Sequence, residues 1–332
     1  MRLRQFLAGL ACCLAALPAH AACEGESYYD LLTEAQRSAI DTRATAVPYG
    51  QGLRWTATRD DRQIDLVGTI HIHDPRLDPL RAALATPLSE AGLLLVEATA
   101  ADELALQDLL AREPDRLFLS EGPTLIDLLE PEAWEALSEA ASARQIPPFM
   151  AAKMQPWYLS MLLSIPDCAA GALMRGAVGL DKQLLEDAAA AGVPAQGLEP
   201  FTTVIDIFRE DPLDEQVAMM MTNLQSADRQ QAFFVATLDL YFAEEVARLW
   251  ELSRLAMEEV PGLDPGEAAE AFAETEAALL GDRNRAWMPV ILDAAAEHPR
   301  IMVAVGAAHL IGSDGLPALL AADGWTVARV AD

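Results

Sequence analysis

Histidines, the side chains best suited to acid–base and metal chemistry near neutral pH, are few in this chain, and two of them share one local setting. The histidines are His20, His71, His73, His298 and His309. Gly68-Thr69-Ile70-His71 and Gly306-Ala307-Ala308-His309 each follow an apolar, strand-like run. A glycine where a strand ends lets the backbone turn sharply and approach a ligand. In open α/β sheets that carboxyl edge is where ligands bind. Glu97 closes a third apolar run, Leu93-Leu94-Leu95-Val96. If the three strands are neighbours, His71, Glu97 and His309 meet on one rim. Taken singly, each has a plainer reading, as a hydrogen-bonded imidazole after a strand or a glutamate capping the next helix. The duplicated Gly-x-x-His, in a chain with so few histidines, favours the shared site.

Two imidazoles and a carboxylate on one rim are a ligand set for a divalent cation such as Mn, Co or Zn. Glu97 would be a further ligand or the base that takes a proton from cation-activated water. His73, two residues after His71, points the same way on an extended segment and could join the grip. Alternatively the strand ends by Ile70 and His73 is a loop residue before Pro75, and the residues do not choose between the two. Arg283 and Asn284, on a helix whose Trp287 faces the core, could hold a developing oxyanion or orient Glu97. An Arg–carboxylate tie stabilising the fold explains them equally well. Asp181 and Glu199 are candidates to support the ligands, and His298 reads as a helix C-terminal cap. The sequence holds no phosphate loop, no Gly-x-Ser-x-Gly elbow and no His-Glu-x-x-His zinc helix.

The elements that must position these residues follow from apolar periodicity. Leu53 to Thr58 and Gln63 to Gly68 read as a strand pair around the turn Arg59-Asp60-Asp61-Arg62. Leu93 to Glu97 and Arg300 to Val305 read as strands buried on both faces. Val193 to Leu198 and Trp325 to Val330 complete the set. Tyr28 to Ala46 and Asp78 to Ala91 have helical spacing, and the chain from about 101 to 280 is mostly helical, broken at prolines. The expected fold is therefore α/β, with a central mixed sheet built from N- and C-terminal strands and a large helical insertion.

Composition and the N-terminus bound the setting. The 332 residues are 52% hydrophobic, enough for a packed core, and carry 23 Lys and Arg against 51 Asp and Glu, a formal charge of −28. Such acidity disfavours nucleic acid and anionic lipid as partners. Arg2 and Arg4, the apolar run Phe6 to Pro18, and Ala19-His20-Ala21 have the form of a secretory signal peptide over residues 1–21. No later stretch is long and apolar enough to span a membrane. The expected product is an exported protein, periplasmic or secreted, with one domain over residues 22–332. Its remaining cysteines, Cys23 and Cys168, read as one disulfide in an oxidising compartment, closing a loop worth roughly 4–5 kcal/mol on the entropic model. Two unrelated thiols, or a lipidated Cys23, are the alternatives.

Gly68-Thr69-Ile70-His71, Leu95-Val96-Glu97 and Val305-Gly306-Ala307-Ala308-His309-Leu310-Ile311-Gly312-Ser313-Asp314-Gly315-Leu316 resemble the motifs of the TraB/GumN family, which includes the Tiki-type proteases. Pro156-Trp157, Gly179-Leu180-Asp181, Gly197-Leu198-Glu199 and Arg283-Asn284 with Trp287 follow in the expected order, and the likeness runs from about Leu53 to Val330. The resemblance implies a fold related to the erythromycin-esterase and ChaN-like group. It also implies paired Gly-x-x-His motifs with an essential glutamate and, in the Tiki branch, divalent-metal-dependent peptide cleavage. It leaves a second reading, an exported protein that binds a small ligand or haem, or acts as an inhibitor, without turnover. An amidohydrolase barrel begun by His71-x-His73 ranks last, because regular βα alternation is absent.

Overall fold

The computed structural model describes residues 23–222, 224, 226–260 and 263–330. The signal peptide expected over residues 1–21 lies outside these residues. Six strands form one mixed sheet: β1 (Arg54–Arg59), β2 (Arg62–Thr69), β3 (Leu94–Val96), β4 (Ala195–Gly197), β5 (Arg300–Gly306) and β6 (Thr326–Arg329). Their order is β4-β3-β5-β2-β1-β6. β4, β3, β5 and β2 run parallel, whereas β1 pairs antiparallel with β2 and with β6. The first and last strands therefore meet in one sheet, as the strand patterns towards both ends required.

Alternation along the central strands fills a core on each face. Ile301, Val303 and Val305 of β5 join Leu66, Leu95, Trp287, Ile291 and Leu320 on one side. Met302 and Ala304 join Val67, Leu94, Val96, Leu77, Leu84, Leu180 and Tyr241 on the other. Burial on both faces is why these strands read as continuous apolar runs. The short antiparallel edge is more polar because its outer strand is exposed.

Between β3 and β5 the chain is helical from Ala100 to Glu297 apart from β4 and loops, so helix extends past residue 280. Much of this insertion has its own core around Leu125, Leu137, Leu159 and Leu163. The N-terminal arm forms two helices rather than one, Tyr28–Leu31 and Glu34–Ala46. Thr33 interrupts them because its hydroxyl and the Gln36 side chain cap the second helix reciprocally. The arm packs through Tyr28, Leu32 and Ile40 on Ala236, Leu240 and Leu252. Cys23 and Cys168 are joined, with Cα atoms 5.3 Å apart. Among the described residues no helix is long and apolar enough to cross a membrane.

Candidate active site at the carboxyl edge of the sheet

Strand order decides what meets. β5 lies between β3 and β2, with Val96 opposite Ala304 and Thr69 opposite Gly306. The four parallel strands β4, β3, β5 and β2 therefore deliver Glu199, Glu97, His309 and His71 to one edge. The backbone N–H of Leu198 donates to the Val96 carbonyl at 2.8 Å, continuing the β4–β3 pairing up to Glu199.

His309 sits on the turn Ala307–Leu310 and is 3% exposed. That turn lies so close to β2 that a Cβ on Gly68 would come within 3.0 Å of the Ala307 Cα. The His309 Nδ1 lies 2.7 Å from Asn284 Oδ1, while Asn284 Nδ2 donates to the carbonyls of His309 and Asp314. With its amide nitrogen thus spent on two acceptors, Asn284 presents its oxygen to the ring. The proton is therefore on Nδ1, and Nε2 keeps a lone pair. Burial, with the Arg283 charge beside it, pushes the His309 pKa down to about 4. The ring is neutral at pH 7.

Arg283 organises the carboxylates. Its Nη2 donates to Glu97 Oε2 at 2.7 Å and to Glu199 Oε1 at 2.6 Å, and its Nε reaches both Glu199 oxygens at 3.1 Å. Nη1 donates to the Leu279 carbonyl at 3.0 Å and lies 3.3 Å from His309 Nε2. Leu279 belongs to a π turn, Ala277–Gly281, just ahead of the helix Asp282–Glu297, a departure from α geometry of the kind that gathers at functional sites. Trp287 adds a 3.0 Å hydrogen bond to Glu199 and places its ring 4.5 Å from that of His309.

Glu97 accepts from the Gly306 N–H at 2.8 Å, and its Oε1 is 3.9 Å from His309 Nε2. Burial opposes its ionisation, but the surrounding His309, Arg283 and His71, with the Gly306 N–H, hold its pKa below the usual carboxylate range.

β2 ends at Thr69, so His71 and His73 stand on a bend and not on an extended strand. His71 is exposed and lines a cleft shared with Thr69, Glu97, Asp181, Glu199 and Arg283, whereas His73 is not part of that lining. The first turn of the helix Leu180–Ala191 secures the bend. The Leu180 N–H donates to the Ile70 carbonyl at 3.0 Å, and Asp181 Oδ2 lies 3.2 Å from His71 Nδ1. A Cβ on Gly179 would stand 2.2 Å from the Ile70 carbonyl oxygen, which only glycine avoids. The hydrogen bond that His71 Nδ1–H donates to the Asp181 carboxylate raises the His71 pKa above its ordinary value.

Asn284 thus orients His309, and Arg283 forms the carboxylate tie. What the sequence did not disclose is the Glu199 side of that tie, the Trp287 hydrogen bond, and the Tyr241 hydroxyl that donates to the Gly68 carbonyl at 2.9 Å. Glu199 itself was a candidate support after the strand-like Val193 to Leu198, but its partner was not. His298 caps the helix Asp282–Glu297 and packs on Gly92. Among the described residues no group of three or more His, Cys, Asp and Glu side chains is gathered into a metal site.

No curated protein and no solved structure matches the chain. The model of the TraB/PrgY/gumN family matches residues 53–329, from the residue before β1 to the end of β6, and the chain belongs to that family.

Proposed function

We propose that this protein is an exported, periplasmic or secreted hydrolase of peptide or amide bonds, dependent on a divalent cation such as Mn, Co or Zn. The observation that carries the reading is a pair of imidazoles, each tied at Nδ1, flanking an ionised carboxylate at the carboxyl edge of a parallel sheet. A ligating imidazole characteristically has its second nitrogen held by an outer partner, which fixes ring and tautomer. Asp181 does this for His71 and Asn284 for His309. Asp181 Oδ1 and Thr69 Oγ1, both on the cleft, are buried without hydrogen-bond partners, leaving acceptors for a cation or its water.

His71, His309 and Glu97 would hold the cation. Bound there, it would supply a water of pKa near 7 and polarise a carbonyl. Glu97 would serve as a further ligand or as the base that takes a proton from water. Arg283 contacts the Glu97 and His309 atoms a cation would use, and its contacts to Glu199 would let it withdraw without losing its charge partner. From there its guanidinium could face a developing oxyanion. Neither His73 nor His309 lines the cleft; His309 is kept because its Nε2 lies 3.9 Å from Glu97, and His73 is left out of the centre. The relation to the erythromycin-esterase and ChaN-like fold is part of this reading and rests on the sequence motifs; export rests on the N-terminal pattern and the disulfide.

One observation favours the rival, a ligand-binding or inhibitor protein without turnover. Arg283 already satisfies Glu97 and Glu199, as a structural cluster would. Metal content separates the two. The mature protein, purified without chelator or tag, is compared by mass spectrometry with His71→Ala and His309→Ala, each checked for folding. Near-stoichiometric metal in the wild type, lost in both variants, is expected. No metal even after incubation with excess divalent ions overturns the hydrolase reading and favours the binding protein.

A further inference from the structure

Away from its charged rim, the cleft widens into an apolar chamber, the whole cavity measuring about 500 Å3. The far wall comes from three helices of the insertion: Leu106 and Leu110 on Ala100–Arg112, Trp157 and Met161 on Pro156–Leu163, and Val204 and Phe208 on Thr203–Glu210. Trp157 and Phe208 stack with planes 2° apart and centroids 5.9 Å apart.

We propose that this chamber is a specificity pocket for a large apolar side chain, aromatic or branched aliphatic, of a peptide substrate. That side chain would lie next to the bond presented to His71 and Glu97. The proposal rests on the hydrolase reading and names its substrate class. An apolar wall with a few placed polar groups suits such a side chain. A fatty acyl chain would fill the same space, but the lining also carries Thr69, His71, Lys182 and Arg283, polar groups that an amide-bearing chain can use along its length and an acyl chain only at its head. Lys182 and Glu103, also on the lining, neutralise one another at 2.9 Å and offer no spare charge to an acidic or basic side chain.

The test is titration calorimetry on His71→Ala protein with blocked pentapeptides Gly-Ala-Xaa-Ala-Gly, where Xaa is Phe, Leu, Ala or Asp, and with decanoate. Wild-type protein loaded in turn with Mn, Co and Zn receives the same peptides, with products read by mass spectrometry. The Phe and Leu peptides are expected to bind at least about tenfold tighter than the Ala and Asp peptides. Val204→Trp, which fills the chamber, should abolish that preference. Equal affinity for all four peptides, or a preference surviving Val204→Trp in a folded protein, overturns the pocket. Tighter binding of decanoate overturns the peptide assignment. Selective binding without cleavage removes the hydrolase reading and leaves the pocket, while cleavage without preference does the reverse.

Discussion

Arg283 is the residue on which the electrostatics of the site turn, because it is the one cation touching both Glu97 and Glu199 among the described contacts. Replacing it with Met would leave two largely buried carboxylates without their counter-charge. Removing one partner of a buried ion pair costs about 3–5 kcal/mol. Urea denaturation of Arg283→Met should show a loss of that order, and an unchanged midpoint would contradict the ion-pair assignment. The His71–Asp181 contact makes a second, pH-dependent prediction. The hydrogen bond favours the imidazolium and raises the His71 pKa, but ligation needs the neutral ring. Cation affinity should therefore rise with pH through a midpoint above the ordinary histidine value. Asp181→Asn should move that midpoint to lower pH, measured by cation titration across a pH series; no movement would remove Asp181 from the site. At this scale His71, Glu97 and His309 were legible because each ends an apolar run. The Arg283–Glu199 contact was not, since nothing local links residues 84 positions apart.

The parallel strands were legible as elements for a physical reason. Burial on both faces writes Leu66-Val67, Leu94-Leu95-Val96 and Ile301 to Val305 as unbroken apolar runs, which water-facing segments cannot be. Their order was open, because adjacency depends on pairing between segments as distant as β2 and β5. The chamber was also hidden: its walls are helices whose mutual angles are set by packing, and nothing in the sequence pairs Trp157, although it stands in a motif, with Phe208. The element that most tightly constrains the site is the start of the helix Leu180–Ala191. Gly179→Ala would drive a methyl into the Ile70 carbonyl and displace the His71 bend. A loss of about 1–3 kcal/mol is expected from such overpacking, together with loss of cation binding. A variant that keeps both stability and cation affinity would show that the bend is not fixed there.

For the whole molecule, the sheet collects the termini, the insertion supplies the cleft wall, and the disulfide fastens the N-terminal arm to the insertion. Cys23 and Cys168 are 145 positions apart, and closing so long a loop contributes about 4 kcal/mol on the entropic model. Cys168→Ser should lose stability of that order in denaturant titration under oxidising conditions, while in excess reductant variant and wild type should converge. Equal stability of the two in oxidising buffer would show that the bridge adds nothing to this fold. The proposed hydrolysis of peptide bonds at this edge of the sheet, with the help of a divalent cation, is tested by offering a complex peptide mixture to the mature protein, stripped with chelator and then reloaded with Mn, Co or Zn, beside Glu97→Gln. New peptide termini are expected from the reloaded wild type alone. No cleavage with any of these cations, or cleavage that Glu97→Gln retains in full, would contradict the proposal.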